Sequence, residues 1–190
     1  MSMKEKQERL TLGFWIYLMT DLLMFAVLFA AYAVLQRSTH GGITIHEIFN
    51  PPFVLVETLI LLTSSFTCGL AMLAAHKDNK KMVVPYFLAT LSLGIVFLAM
   101  ELYEFAHLIS EGHDWTKSAF LSAFFTLTGT HGLHILIGII WISILLIHIK
   151  LRGLTPGTLG KLTLAGLFWH FLDVVWIFIF TIVYLMGGVL

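Results

Sequence analysis

Asp21, Glu57, Glu101, Glu104 and Asp173 each lie inside a long apolar run, and so do His131, His134 and His170. Carboxylates and imidazoles move protons, ligate metals and hold polar head groups. At bilayer depth such a group costs about 2.5–3.5 kcal/mol on insertion scales, so it is kept with a partner or for a task. Spacing gives these residues direction: His131 and His134, His170 and Asp173, and Glu101 and Glu104 are each three apart and share a helix face. His148 in the fourth run and Trp169 beside His170 complete the candidates for a buried polar network or a lipid contact. Metal chemistry fits poorly. Glu104 and His107 have the Glu-x-x-His spacing of di-iron bundles, which need a second copy and two more glutamates. His131 and His134 sit on one helix face and cannot reach both sides of a porphyrin. The expectation is no catalytic residue, no cofactor and no metal in this chain. The favoured use of the polar groups is hydrogen bonding between helices. A lipid head-group site and an influence on proton movement are the alternatives.

The elements that must position these groups follow from composition. The 190 residues are 58% hydrophobic and 12% charged, against roughly 25% charged in soluble domains. Mean hydropathy is +0.92. Apolar runs long enough to span lipid fall at about 12–36, 52–75, 83–108, 119–149 and 162–187. The predicted fold is an all-α integral membrane bundle of five transmembrane helices, with residues 1–190 as a single domain. Punctuation agrees: Gly41 and Gly42 in the first connection, Pro51 and Pro52 opening the second helix, a polar hairpin from His76 to Lys81, and a turn over residues 111–114. Gly153 with Pro156 and Gly157 is expected to break the chain before the last helix. Lys4, Lys6, Arg9, Lys77, Lys80, Lys81, Lys150, Arg152 and Lys161 fall on one side, and Arg37 and Lys117 on the other. Basic short loops stay in the cytoplasm, which puts the N-terminus inside and the C-terminus outside. Residues 31–33 resemble a signal cleavage site, but the preceding run is too long and holds Asp21, so the segment is expected to stay. The single cysteine, Cys68, excludes an internal disulfide, and the scattered basic residues exclude a nucleic-acid platform.

Depth divides the ionisable groups. At about 1.5 Å per residue, Asp21 is roughly 14 Å in from the cytoplasmic edge, near the level of His170, Asp173, His134 and His131. Glu57, Glu101 and Glu104 lie within roughly 6–11 Å of the outer edge. Asp21 is therefore expected to meet His134 or the His170/Asp173 pair, and the three glutamates to share protons rather than bind a cation. Two stripes are expected to serve as helix seams: Glu57, Leu61, Ser64 and Cys68, and Gly166, His170, Asp173, Ile177 and Thr181. Trp15, Tyr32, Tyr86, Tyr103 and Trp115 are placed as an interfacial belt.

Residues 124–134 (FFTLTGTHGLH) and 168–176 (FWHFLDVVW) closely resemble signatures of subunit III of the haem–copper oxidases. Residues 100–105 (MELYEF), 53–58 (FVLVET) and 14–21 (FWIYLMTD) resemble further signatures of it. The resemblance runs in order over about residues 12–188. Two departures look like the five-helix form of bacterial cytochrome o-type ubiquinol oxidases: the first two of seven helices are missing, and Asp21 stands where glutamate is frequent. The resemblance implies an accessory subunit in the bacterial cytoplasmic membrane, within a complex that oxidises quinol, reduces oxygen and pumps protons. It implies haems and copper in subunit I, contacts mainly with subunit I and also with subunits II and IV, and bound phospholipid. It implies support of assembly and sustained turnover. A subunit III-like protein of a nitric oxide reductase and a small proton-coupled transporter are the rival readings.

Overall fold

The structure, a computed structural model, describes residues 3–39 and 50–187, and Gly41 and Gly42 lie outside the described residues. Five helices long and apolar enough to cross a membrane account for nearly all of them. They are α1 (Met3–Leu35), α2 (Pro51–His76), α3 (Lys80–Ser110), α4 (Ala119–Arg152) and α5 (Pro156–Ile179), the last continuing as a π-helical segment, Phe180–Met186. The helices outrun the apolar spans because their flanks are good helix formers. α1 begins at Met3 rather than near residue 12, through a Lys/Glu/Gln-rich stretch that suits a helix in water.

Local chemistry fixes the ends. Pro51 and Pro52 open α2, where a missing amide leaves nothing unpaired. The Ser118 hydroxyl caps α4 by accepting from the Leu121 amide at 3.1 Å. Gly153 ends α4 at φ +73°, a conformation that favours glycine. Pro156 and Gly157 do not interrupt the chain as expected; they form the first turn of α5, capped by Thr155 accepting from the Thr158 amide. Proline has no amide to lose at that position, so the pair starts a helix rather than breaking one.

α2, α3, α4 and α5 pack in succession, and α5 returns onto α2, closing a four-helix ring. α1 lies outside it, against α4 and α5. The seams show in burial. α3 buries Val83, Phe87, Thr90, Gly94, Phe97, Glu101 and Leu108 at steps of three and four, and α1 buries Leu18, Asp21, Phe25 and Tyr32. α4 and α5 bury broader faces because each meets the ring and α1 together. The α2 stripe of Glu57, Leu61, Ser64 and Cys68 is wholly interior. The α5 stripe is divided: Gly166 and Asp173 are buried, His170 is half-buried, and Ile177 and Thr181 face outward. Trp15, Tyr103 and Trp115 are exposed as a belt requires, but Tyr32 is completely buried and packs on Phe120 with ring centroids 6.2 Å apart. Its place on the α1 seam outweighs the interfacial preference of a tyrosine near a helix end.

Candidate functional site

The centre of the ring is organised by Trp169. Its indole is slotted between α3 and α4 at two glycines: a Cβ at Gly94 would come within 2.6 Å of the ring, and one at Gly138 within 3.0 Å. Small residues at these points let the helices close around an aromatic plate. Trp169 Nε1 donates to Ser64 Oγ at 3.1 Å, and Ser64 Oγ donates to the Thr90 carbonyl at 3.1 Å, so one hydroxyl joins α2, α3 and α5. Two turns outward along α5, Trp176 Nε1 donates to Thr58 Oγ1 at 3.1 Å. Trp169 thus belongs to the buried network and has no surface for a lipid contact.

Outside the ring, Asp21 of α1 reaches His134 of α4, with Oδ2 3.8 Å from Nε2. His134 Nδ1 donates to the Thr130 carbonyl at 2.7 Å, which fixes the ring's hydrogen on that side. A neutral imidazole then offers Nε2 as an acceptor only, and an imidazolium offers it as a donor. Phe25 and Phe168 pack on the imidazole, with centroids 5.4 and 6.4 Å away, and keep the pair from water.

The inner set expected from depth does not assemble as one group. His170 turns to α2 instead, with Nδ1 2.7 Å from Ser65 Oγ and 3.7 Å from Asp173 Oδ2. His131 is completely buried; its Nε2 donates to the Leu172 carbonyl at 3.2 Å, and its ring packs on Trp176 at 5.2 Å. His148 is half-buried, fourteen residues on from His134, or about 21 Å along the helix axis. Helix rotation, which depth alone does not give, separates these residues.

The outer set does come together. Glu57 of α2 and Glu104 act electrostatically on Glu101 of α3, and Glu104 accepts from the Tyr184 hydroxyl at 3.1 Å. Glu104 and His107 part company: His107 is exposed and lies 3.5 Å from Glu111. Among the described residues no group of three or more His, Cys, Asp or Glu side chains is placed to hold a metal ion. Tyr184, Ser65 and Gly132 carry the network without having been singled out from sequence. Tyr184 escapes α-helical counting because the π-helical segment adds a residue to its turn.

The arrangement can hold helices together and hold protons, and comparisons with known proteins say where such a bundle occurs. The chain is 53% identical over 176 residues to the cytochrome bo(3) ubiquinol oxidase subunit 3 of Pseudomonas aeruginosa, covering 93% of this chain and 84% of that protein. It is 50% identical over 176 residues to the quinol oxidase subunit 3 of Bacillus subtilis, covering 93% and 86%. It is also 47% identical over 178 residues to a cytochrome c oxidase subunit 3 from Bacillus sp. strain PS3, covering 94% and 86%. The family described as cytochrome c oxidase subunit III matches residues 3–188, almost the whole described bundle, and the chain belongs to that family.

Proposed function

We propose that this chain is the accessory subunit III of a bacterial quinol oxidase that couples oxygen reduction to proton pumping. One observation carries the choice of donor: relatives at 50–53% identity over 93% of the chain are named as subunits of ubiquinol or quinol oxidases. The chain brings no redox centre. The haems and copper reside in subunit I, its main partner, and subunits II and IV complete the complex. It sits in the cytoplasmic membrane with the basic loops inside, so the N-terminus is cytoplasmic and the C-terminus outside. Its work is to support assembly and sustained turnover, with bound phospholipid against the apolar outer faces. The half-buried His170 is the polar candidate for such a contact.

Affinity purification of the tagged chain from mild detergent tests the reading. The expected product is a haem-containing complex that consumes oxygen with a reduced quinol, and whose turnover decays faster when this chain is deleted. A complex that accepts electrons only from reduced cytochrome c would overturn the quinol assignment. A haem-free chain with transport activity of its own would overturn the oxidase assignment.

A further inference from the structure

The end of the ring that holds Glu57 and Glu101 buries a cluster of carboxyls without hydrogen-bond partners. Glu57 is fully buried and Glu101 is 2% exposed, and all four of their carboxyl oxygens lack a hydrogen-bond partner. They arrive from two helices, each on the interior seam. The Glu101 carboxyl lies directly on the α4 backbone at Gly132, where a Cβ would come within 2.9 Å of the carboxyl carbon. Only a glycine leaves room for the group there. One turn further out, Glu104 takes the Tyr184 hydroxyl across the helix interface.

Aromatic pairs flank the cluster along the helices. The inner side is Phe97 edge-on to Trp176 at 4.7 Å, with His131 against the same indole at 5.2 Å, and His131 Nδ1 also has no partner. The outer side is Phe124, 6.0 Å from Tyr184 and 6.5 Å from Phe105. The charged groups acting on Glu57 and Glu101 are the glutamates themselves.

We propose that this cluster is a proton-binding site, in which Glu57 and Glu101 are neutral carboxyls at neutral pH. A carboxylate only accepts hydrogen bonds, so two of them side by side repel and leave every oxygen unpaired. A carboxylic acid both donates and accepts. Two protons therefore supply the missing donors and tie α2 to α3, at a place where desolvating a full set of ions is prohibitive. Tyr184 already donates to Glu104 at 3.1 Å, so that carboxyl has a donor from outside the pair. The site is independent of which donor feeds the oxidase.

Infrared difference spectra of the assembled complex at neutral pH, wild type against Glu57→Gln, Glu101→Gln and Glu104→Gln, test this. The first two variants should each lose a protonated-carboxyl band that shifts in heavy water, and Glu104→Gln should leave both of those bands in place. Replacing sodium by choline should leave wild-type spectra and thermal stability unchanged. Glu101→Gln should assemble as well as wild type, and Glu101→Leu should not. The proposal fails if Glu57→Gln and Glu101→Gln remove ionised-carboxylate intensity, or if sodium alters the spectra or stability, which would make the cluster a cation site. Failure of Glu101→Gln to assemble also overturns it, because a neutral hydrogen-bonding replacement must fit where a neutral acid fits.

Discussion

The ring interior and the α1 groove solve the same problem with different means. Both place carboxyls in lipid. In the ring, the Glu57 and Glu101 carboxyls have no hydrogen-bond partner among the described residues, and glycines let the surrounding helices close tightly on Glu101 and on Trp169. In the groove, Asp21 has a basic partner, His134, and the walls are phenylalanine side chains on one side of a helix otherwise turned outward. The interior is held by packing on all sides, whereas α1 is held mainly against α4 and α5, where Asp21 meets both Tyr17 and His134. The comparison teaches that an intramembrane acid is no single category. Enclosure favours sharing protons among like groups, and an edge position favours pairing with a base.

The strongest way to break the comparison is to empty the ring. Trp169→Ala removes a completely buried indole and the donor to Ser64. A loss of about 3–5 kcal/mol is expected for such a truncation, with the ring unable to collapse around the void. Gly94→Ala attacks the same plate from the other side, because the added methyl would meet the indole at 2.6 Å. Overpacking of this kind costs about 1–3 kcal/mol. Both should lower the temperature at which the purified complex releases this subunit, Trp169→Ala by more. Equal or smaller effects than those at Asp21 would remove the distinction between interior and edge.

Asp21→Ala should come next, at about 1–3 kcal/mol, the cost of leaving His134 buried without its partner. Its effect should be local: protease access to α1 rises while the tryptophan fluorescence of the ring is kept. A double-mutant cycle with His134→Ala isolates the pair, and the double variant should cost less than the sum of the two singles. Strict additivity would show that the 3.8 Å approach contributes nothing.

The sequence was informative wherever the lipid constrains it and mute where rotation decides. Five apolar runs, the Pro51-Pro52 start of the second and the Lys/Arg asymmetry leave few choices for the helices. Depth counted along them brought Glu57, Glu101 and Glu104 to one level, and Asp21 to the level of His134. Depth also placed His131 and the His170/Asp173 pair at that second level, where the structure turns them away from Asp21 and His134. His131 faces into the ring and His170 faces α2, and a rotation of one residue, about 100°, is beyond what spacing on one helix resolves. Tyr184 was missed for a related reason, since the π-helical turn resets the register just before it. Tyr32 was misassigned to the interface because proximity to a helix end carries no information about which side of the helix is covered.

The smallest effect is expected outside the membrane, where a carboxylate faces water. Asp114, in the turn between α3 and α4, accepts from the Thr116 amide at 2.8 Å and from the Thr116 hydroxyl. The hydroxyl bond first, then the amide bond, hold its carboxyl below the usual value of 3.8. A carboxyl depressed in the folded state contributes stability that is fully present above its unfolded value and is lost as pH falls through the lower folded one. The contribution is therefore constant at neutral pH and disappears only in acid. Because the group is exposed, solvent screens the benefit, and Asp114→Ala should leave subunit retention at neutral pH unchanged within error. Melting curves of wild type and Asp114→Ala should converge further as the pH is lowered below 3.8. A loss at neutral pH as large as that of Asp21→Ala would mean that this turn bears on assembly as much as the α1 groove does, and that lipid exposure is not what separates strong carboxyl sites from weak ones in this chain.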